Sequence, residues 1–550
     1  MKKLILPVLL LAASTFSALA NNSKAIEYFK FGLNNAAQKM LLEELNSGTQ
    51  TPQEKAEAYF YLGEIAFAEQ NKAAAAENYK KGENADGGYI FNKIGQIKLL
   101  LASNAAQAEK DLANILKNNK KNMEVQVAVA KAYLDNNMLD KATKQIAEAK
   151  KVNDKYAPLF VLEGDLKVLE FHKTNLQTKI GEATSLYERA IYYDKQCKDA
   201  YAKYARVFTQ LNPNAAIAKL QELLAIDQSS HLAYREMGEV YFKNRQYAKA
   251  AEVYDKYIAN DKYSVSDFYN YAIILFYKND FEKSLEVVNK ALAVDANNTA
   301  FKRYFVYNNV ELKNPDALAI TENFINTPNQ NLIAQDYIYY AQLLKNNKRE
   351  QESITQYEKV LQMDNNNVAI YKELGDIYFA LNEYDKAIEN YNFFIKKGNS
   401  QVKGNDYIYL GLSYYNAAAN EKDAVRKESY VIAGDSVFAY VAEAAPNSYF
   451  GNFWRARVQS LLDPSREKGL AKPYYESAAE LLSQDPTKNT KEQIECYDYL
   501  GYHYMLLFEK TKNNNDLKTS KKYWQKVIEL DPKNSNALKV LKGIENLMKS

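Results

Sequence analysis

The sequence predicts an all-α protein built from stacked helix-turn-helix units, and two observations support this prediction. A phrase of aromatic and small residues recurs along the chain, and one copy consists of Tyr371, Leu374, Gly375, Tyr378, Tyr384, Ala387 and Tyr391. Its small residue returns at steps that mostly lie within two residues of 34, or of twice 34, at Gly63, Gly95, Ala130, Gly164, Ala205, Gly238, Ala272, Ala341, Gly375 and Gly411. A fixed period of this size is typical of helical units that bury their apolar faces only against their neighbours. The low glycine (19) and proline (11) counts in 550 residues fit a chain of helices and short turns.

The small residue of each phrase has a steric explanation. Gly375 falls inside a predicted helix, where glycine costs about 1 kcal/mol relative to alanine. Such a residue is expected where a second helix crosses closely, and Ala387 on the second helix of the unit is the expected counterpart. The same step of twelve residues joins Gly238 to Ala250.

These residues resemble the tetratricopeptide repeat (TPR) family, with tyrosine in place of the usual tryptophan at the start of the phrase. The family's closing Asp-Pro pair is present at Asp485-Pro486 and Asp531-Pro532, where proline ends the second helix. About thirteen candidate units lie between Ala25 and Pro532. The resemblance implies a right-handed superhelical solenoid, and we expect capping segments at both ends, the last of them over residues 536–548.

The first twenty residues have a different character. Lys2 and Lys3 precede an apolar run, and Ala18-Leu19-Ala20 forms an A-x-A cleavage site. This order is typical of a secretory signal peptide, so we expect cleavage after Ala20 and a periplasmic location in a Gram-negative bacterium. No cysteine follows the cleavage site, and no later stretch has the roughly 18 apolar residues of a membrane span.

The remaining chain divides at its weakest repeat pattern, over residues 301–331. We therefore predict an N-terminal array over 21–330 and a C-terminal array over 331–550. Three units are longer than the others between their two helices. The extra residues, 172–175, 420–423 and 512–516, are expected to form enlarged connections on one edge of the array.

Composition and motifs argue against an enzyme and against a nucleic-acid-binding protein. Lys and Arg number 71 and Asp and Glu number 68, without the basic stripe of a nucleic-acid binder. His172, His231 and His503 have no metal-ligand spacing, and no nucleophile elbow, phosphate loop or dinucleotide fingerprint is present. We predict no catalytic, metal or cofactor site. Cys197 and Cys496 lie about nine repeats apart, and because a solenoid contacts only its neighbours, we expect free, partly buried thiols.

The candidate binding residues lie on the first helix of each unit, which lines the concave, ligand-binding face in the family that this chain resembles. One position is aromatic in copy after copy, at Phe67, Phe242, Phe276, Phe379 and Tyr415. Arg235 and Glu239 add charges of both signs beside it. The family's clamp for C-terminal carboxylates needs Lys and Asn at set inner positions, and the departure here argues against that function.

Two functional hypotheses follow from this pattern. The first is a periplasmic scaffold that binds envelope proteins or peptide segments in an outer-membrane assembly or secretion machine. The second is a regulatory or accessory subunit of a cell-wall or glycan-processing enzyme. Oligomeric state and peripheral attachment at the outer membrane stay open.

Overall fold

The structure is a computed structural model that describes residues 20–259 and 265–548. Side chains are described for residues 23–259 and 266–548. The predicted signal peptide lies outside these residues except for Ala20. Across the two described ranges the chain forms 29 α-helices, one short 3₁₀ turn and no strand. The all-α solenoid prediction is therefore confirmed. None of these helices is long and apolar enough to cross a membrane.

The chain divides into two compact units, of which the first ends at Leu312 and the second begins at Lys313. This division falls within the stretch of weakest repeat pattern, while the predicted boundary at residue 330 stays a prediction.

The first unit contains helices α1 (Ala20–Lys30), α2 (Asn34–Ser47), α3 (Pro52–Ala68), α4 (Lys72–Ala85), α5 (Phe91–Leu100), α6 (Ala105–Asn118), α7 (Met123–Asp135), α8 (Leu139–Val152), α9 (Ala157–Thr174), α10 (Thr178–Tyr193), α11 (Lys198–Phe208), α12 (Pro213–Ile226), α13 (His231–Lys243), α14 (Tyr247–Ile258), α15 (Val265–Tyr277), α16 (Phe281–Val294) and α17 (Thr299–Glu311).

The second unit contains helices α18 (Ala317–Asn326), α19 (Ala334–Asn346), α20 (Glu350–Met363), α21 (Val368–Ala380), α22 (Tyr384–Lys397), α23 (Gly404–Asn420), α24 (Ala424–Ala444), α25 (Phe450–Ser460), α26 (Lys472–Leu482), α27 (Thr490–Thr511), α28 (Asn514–Leu530) and α29 (Ser535–Leu547), with the 3₁₀ turn at Asn399–Gln401.

The glycine of each phrase makes room for an aromatic ring of the second helix rather than for the expected alanine. A Cβ atom at Gly375 would lie 2.9 Å from Cδ1 of Tyr391, and one at Gly164 would lie 2.4 Å from Cε1 of Tyr187. Tyr79 packs between two glycines, Gly63 on its own unit and Gly95 on the next. Ala387 is fully buried, but it is not what requires the glycine. The predicted Gly375–Ala387 counterpart is thus replaced by Gly375–Tyr391.

The type of aromatic ring that faces the glycine correlates with the residue that directly follows the glycine. At three of the four glycines that face a tyrosine of their own pair, the tyrosine hydroxyl donates to the carboxylate that directly follows the glycine: Tyr79 to Glu64 (2.7 Å), Tyr187 to Asp165 (2.9 Å) and Tyr391 to Asp376 (2.7 Å). At the fourth, Gly238, the hydroxyl of Tyr254 makes no such bond, although Glu239 follows the glycine. Gly411 and Gly501 instead accommodate Phe438 and Trp524, and Leu412 and Tyr502 follow them. A hydrogen-bond partner offsets the cost of burying a hydroxyl, which explains the acid beside Tyr79, Tyr187 and Tyr391.

Most helix pairs turn through one residue in the left-handed backbone region. These residues recur near the 34-residue period: Gln70, Asn137, Arg245, Asn279, Lys313, Lys348 and Asn382. Asparagine tolerates this region best among residues with a side chain, and three of the seven are asparagine. The position of the turn therefore recurs with the same period as the repeat.

In the three longer repeat units, the additional residues lengthen the helices rather than the connections between them. Helix α9 has 18 residues, α24 has 21 and α27 has 22, whereas α21 and α22 have 13 and 14. Residues 172–174 continue α9, and most of 512–516 begins α28. Residues 421–423 do connect α23 to α24, but this connection is no longer than the three residues between α3 and α4. The predicted enlargement of the connections is therefore wrong, because the additional residues form extra helical turns. At the end of the chain, α29 covers the last apolar face through Ala537 and Ile544, as expected of a cap.

The tyrosine–glycine packing gives a stability prediction. Changing Gly164 to alanine places a Cβ against the buried ring of Tyr187, and we expect a net loss of about 1–2 kcal/mol despite the better helix propensity of alanine. Gly181, on the second helix of the same pair, has no atom within 4 Å of an added Cβ and serves as the control. Gly181→Ala should be neutral or stabilising by up to about 1 kcal/mol. Urea unfolding of both variants checks this, and equal effects would contradict it.

Candidate protein-binding site

The five aromatic residues singled out from the sequence lie near the ends of first helices and are all half-buried. Each contacts the following helix pair. Phe242 lies 5.9 Å from Tyr277 between ring centroids, Phe276 5.4 Å from Tyr304, Phe379 5.5 Å from Tyr409 and Tyr415 5.3 Å from Trp454. The Nζ atom of Lys98 lies 4.1 Å from the ring centroid of Phe67. These rings therefore join neighbouring pairs, and their role in binding stays a prediction.

The structure adds exposed tyrosines that the sequence reasoning missed. Tyr277 is 48 % exposed and stacks on Tyr247 at a centroid distance of 5.3 Å. It lines an open depression together with Arg245, Lys249 and Lys278. The depression therefore combines aromatic surface with three cationic side chains. The sequence signal was the second aromatic in Phe276-Tyr277, one residue beyond the selected position.

Arg235 and Glu239 are engaged within the protein. Nε of Arg235 donates to Asp267 at 3.0 Å, and Asp267 also accepts from the Tyr257 hydroxyl at 2.8 Å. Glu239 accepts from the Asn270 amide at 3.2 Å, and burial raises the pKa of its carboxyl. Both side chains bond to α15 of the next pair. Their predicted role as ligand contacts is not tested by these bonds.

A charge cluster with a buried ion pair at its centre and Lys131 41 % exposed at its edge joins three first helices, α3, α5 and α7. The Lys98 ammonium is 3 % exposed and lies 2.5 Å from Oε1 of Glu64 and 3.1 Å from Oδ2 of Asp135. Lys131 contacts the same two carboxylates, at 3.2 and 2.7 Å. Burial would raise the pKa of Glu64, but Lys98 and Lys131 outweigh it and lower this pKa to about 2. The cluster links the three pairs, because Lys98 of α5 forms ion pairs with carboxylates of both α3 and α7.

A second set of contacts brings α1 onto helices far away in sequence. Nε2 of His231 lies 2.6 Å from the Tyr28 hydroxyl, and Lys198 lies 3.2 Å from Glu27. The Arg206 guanidinium donates to the carbonyl oxygen of Phe31 and pairs with Glu236. No pattern in the sequence indicates these contacts, because they join positions about 200 residues apart that carry ordinary surface residues.

Other sequence expectations concern residues outside these surfaces. Both cysteines are free and buried, and burial raises the pKa of each thiol. His503 is buried, and its Nδ1 atom lies 2.8 Å from the Arg466 carbonyl oxygen. Within residues 20–259 and 265–548, no group of three or more His, Cys, Asp or Glu side chains is placed to hold a metal ion.

Repeated helix pairs that contact mainly their sequence neighbours define an α-solenoid, a class whose members bind ligands on extended surfaces. Sequence models of the tetratricopeptide repeat match residues 22–89, 208–265 and 368–392. With the periodic helix pairs, these matches identify the chain as a tetratricopeptide repeat protein. Proteins of this family are typically non-catalytic scaffolds.

Solved structures with this repeat are similar to the chain in part. The C-terminal part of a TPR protein from Cytophaga hutchinsonii is 26 % identical, with a TM-score of 0.37 over 49 % of this chain and 98 % of that one. A tetratricopeptide repeat protein from Parabacteroides merdae is 18 % identical, with a TM-score of 0.33 over 47 % and 98 %. Yeast Tom70 is 16 % identical, with a TM-score of 0.30 over 92 % and 98 %. No curated protein matches the sequence.

The buried cluster predicts a stability change with a defined pH dependence. Glu64→Ala should destabilise the first unit by about 3 kcal/mol, since Lys98 keeps only Asp135 as a partner. Because the folded pKa of Glu64 lies below its ordinary value of 4.5, its contribution is complete above that pH and is lost as pH falls toward 2. The difference between wild type and variant should therefore shrink between pH 5 and pH 2.

Hydrogen exchange of α3, α5 and α7 at several pH values measures this change locally. Glu77, which forms an exposed pair with Lys81 at 2.7 Å, provides the matched control. Glu77→Ala should change stability by less than about 0.5 kcal/mol. A Glu64 variant as mild as this control would show that the cluster does not stabilise the unit.

Proposed function

We propose that this protein is a periplasmic scaffold that holds envelope proteins together through protein–protein contacts. Support for export comes from the sequence, where a charged start, an apolar run and an A-x-A site precede the first repeat. Support for a binding role comes from the repeat fold, which implies protein or peptide partners. An outer-membrane assembly or secretion machine is the setting that fits both.

One observation favours a particular surface for this role. The depression around Tyr277 and Tyr247 presents aromatic rings to solvent and is flanked by Arg245 and Lys249. Exposed aromatic surface with adjacent cations is typical of interaction sites. A partner segment with an apolar or aromatic anchor between carboxylates would match it in shape and charge.

The depression can be tested with a smaller change than the loss of the half-buried rings beneath it. Phe242, Phe276 and Phe379 join helix pairs, so changing them would damage the fold together with any binding surface. Tyr277→Ser removes a ring that is 48 % exposed together with its contacts to Phe242 and Tyr247, so thermal unfolding of the variant is measured beside its partner capture. Tyr192, which is 79 % exposed on α10, provides a matched control through Tyr192→Ser.

Both variants and the wild type would be crosslinked in intact envelopes, and their neighbours identified by mass spectrometry. We expect Tyr277→Ser to lose at least about tenfold of partner capture, since an interfacial tyrosine often contributes more than 1.4 kcal/mol, while Tyr192→Ser behaves as wild type. Undiminished capture by Tyr277→Ser would exclude this depression. A cell-wall or glycan-processing enzyme as the main neighbour would favour the accessory-subunit hypothesis.

A further inference from the structure

Helix α1 packs on helices α11 and α13 through the kinds of contact that a bound helical ligand would make. One face of α1 provides Ala25, Tyr28 and, just beyond the helix, Phe31, all of which are almost fully buried. Phe29 points elsewhere and contacts Tyr61 of α3 at a centroid distance of 5.4 Å. The first helix is therefore held on two sides, by its sequence neighbour α3 and by a distant surface.

The distant surface recognises three different features of a helix. Lys198 pairs with a carboxylate, Glu27, at 3.2 Å. His231 makes a hydrogen bond of 2.6 Å with a phenol, Tyr28, whose ring lies 5.6 Å away between centroids. Arg206 donates to the carbonyl oxygen of Phe31, directly after the end of α1. A cation at this end satisfies a free carbonyl and complements the helix dipole.

The receiving groups are themselves fixed by the protein. Arg206 is held by Glu236 through two hydrogen bonds of 2.9 and 2.6 Å, and Lys198 also pairs with Asp227 at 2.6 Å. The His231 ring stacks on Tyr257 at a centroid distance of 6.1 Å. These interactions do not involve α1, so they would persist without it. The surface is therefore preorganised for a helix of this kind.

We propose that Lys198, Arg206 and His231 form a binding site for the C-terminal end of an amphipathic helix, and that α1 is an internal occupant displaced by a partner helix. The partner carries an acidic residue, then tyrosine, then an aromatic residue three positions later, as in Glu27-Tyr28-x-x-Phe31. The inference rests on the proposed function, since it assumes a protein partner. Among the described helices, α1 packs on α2 and α3 of the neighbouring array, so its departure uncovers these two helices and leaves the later pairs in place.

The covalent link between α1 and α2 determines how well a partner helix can compete with α1 for the surface of α11 and α13. Helix α1 is joined to α2 by only three residues, 31–33, so its effective concentration at the surface is high. A free helix binds measurably only when the internal occupant is weakened or the free helix is in large excess. Weakening α1 should therefore raise the apparent affinity for a helix added in trans.

The probe is a fluorescent peptide with the sequence of residues 23–34, added to the purified full chain. A variant that combines Tyr28→Ala and Phe31→Ala weakens the internal contact and leaves the receiving surface intact. We expect this variant to bind the peptide at least about tenfold more tightly than wild type. Adding His231→Ala and Arg206→Ala to it should abolish the gain. Phe29→Ala, which loosens α1 only from α3, is the matched control and should show a much smaller gain.

Hydrogen exchange of the wild-type chain tests the same competition without a destabilised variant. Excess peptide should increase exchange in α1 and leave α13 protected. Absence of peptide binding to the weakened variant, together with unchanged exchange of α1 in the wild type, would overturn the proposal. Equal binding to wild type and variant would also overturn it, because the peptide would then occupy another surface. Envelope crosslinking through the Tyr277 depression is independent of these results, so either hypothesis can fail alone.

Discussion

The packing of a tyrosine ring against a glycine is the contact on which four of the helix pairs depend, at Gly63, Gly164, Gly238 and Gly375. Without a Cβ on the first helix, the ring of the second helix can lie directly against its backbone, as Tyr187 does at Gly164. The ring hydroxyl then needs an acceptor, and the carboxylate one residue later supplies it. A single close approach thus determines a small residue, an aromatic residue and an acidic residue at fixed spacing. Because the pairs repeat, so does this requirement.

Several side chains that were selected as binding candidates also have a role in packing. Aromatic side chains such as Phe242 and Phe379 were selected from the sequence for their exposure to a ligand, yet each also packs on the next pair. The charged cluster around Lys98 likewise couples three pairs through bonds that none of them could satisfy alone. In a solenoid, the surface that faces a partner is also the surface along which neighbours meet. Binding and cohesion therefore compete for the same side chains.

The period and the small-residue position were sufficient to predict the fold, because both reflect packing between residues that are close in sequence. Prediction failed where a choice depended on three-dimensional detail. Gly375 was assigned to Ala387 since twelve residues separate them consistently, but the larger ring of Tyr391 occupies the space. Inserted residues near 172 and 512 were interpreted as connections, although they extend helices. The contact between Tyr28 and His231 had no periodic signal, as it joins distant helices.

The matching of ring and acid constrains how such an array can change over generations. A duplicated pair that changes tyrosine to phenylalanine first leaves its carboxylate with one bond fewer, since Asp376 still pairs with Lys372 at 3.2 Å, and one that loses the acid first leaves a buried phenol unsatisfied. The first order is the milder one, so a change from a pair like Tyr391 with Asp376 to one like Phe438 with Leu412 is expected to begin with loss of the ring hydroxyl. The surrounding residues can diversify freely, which gives the array a stable framework on which different partners' surfaces can evolve.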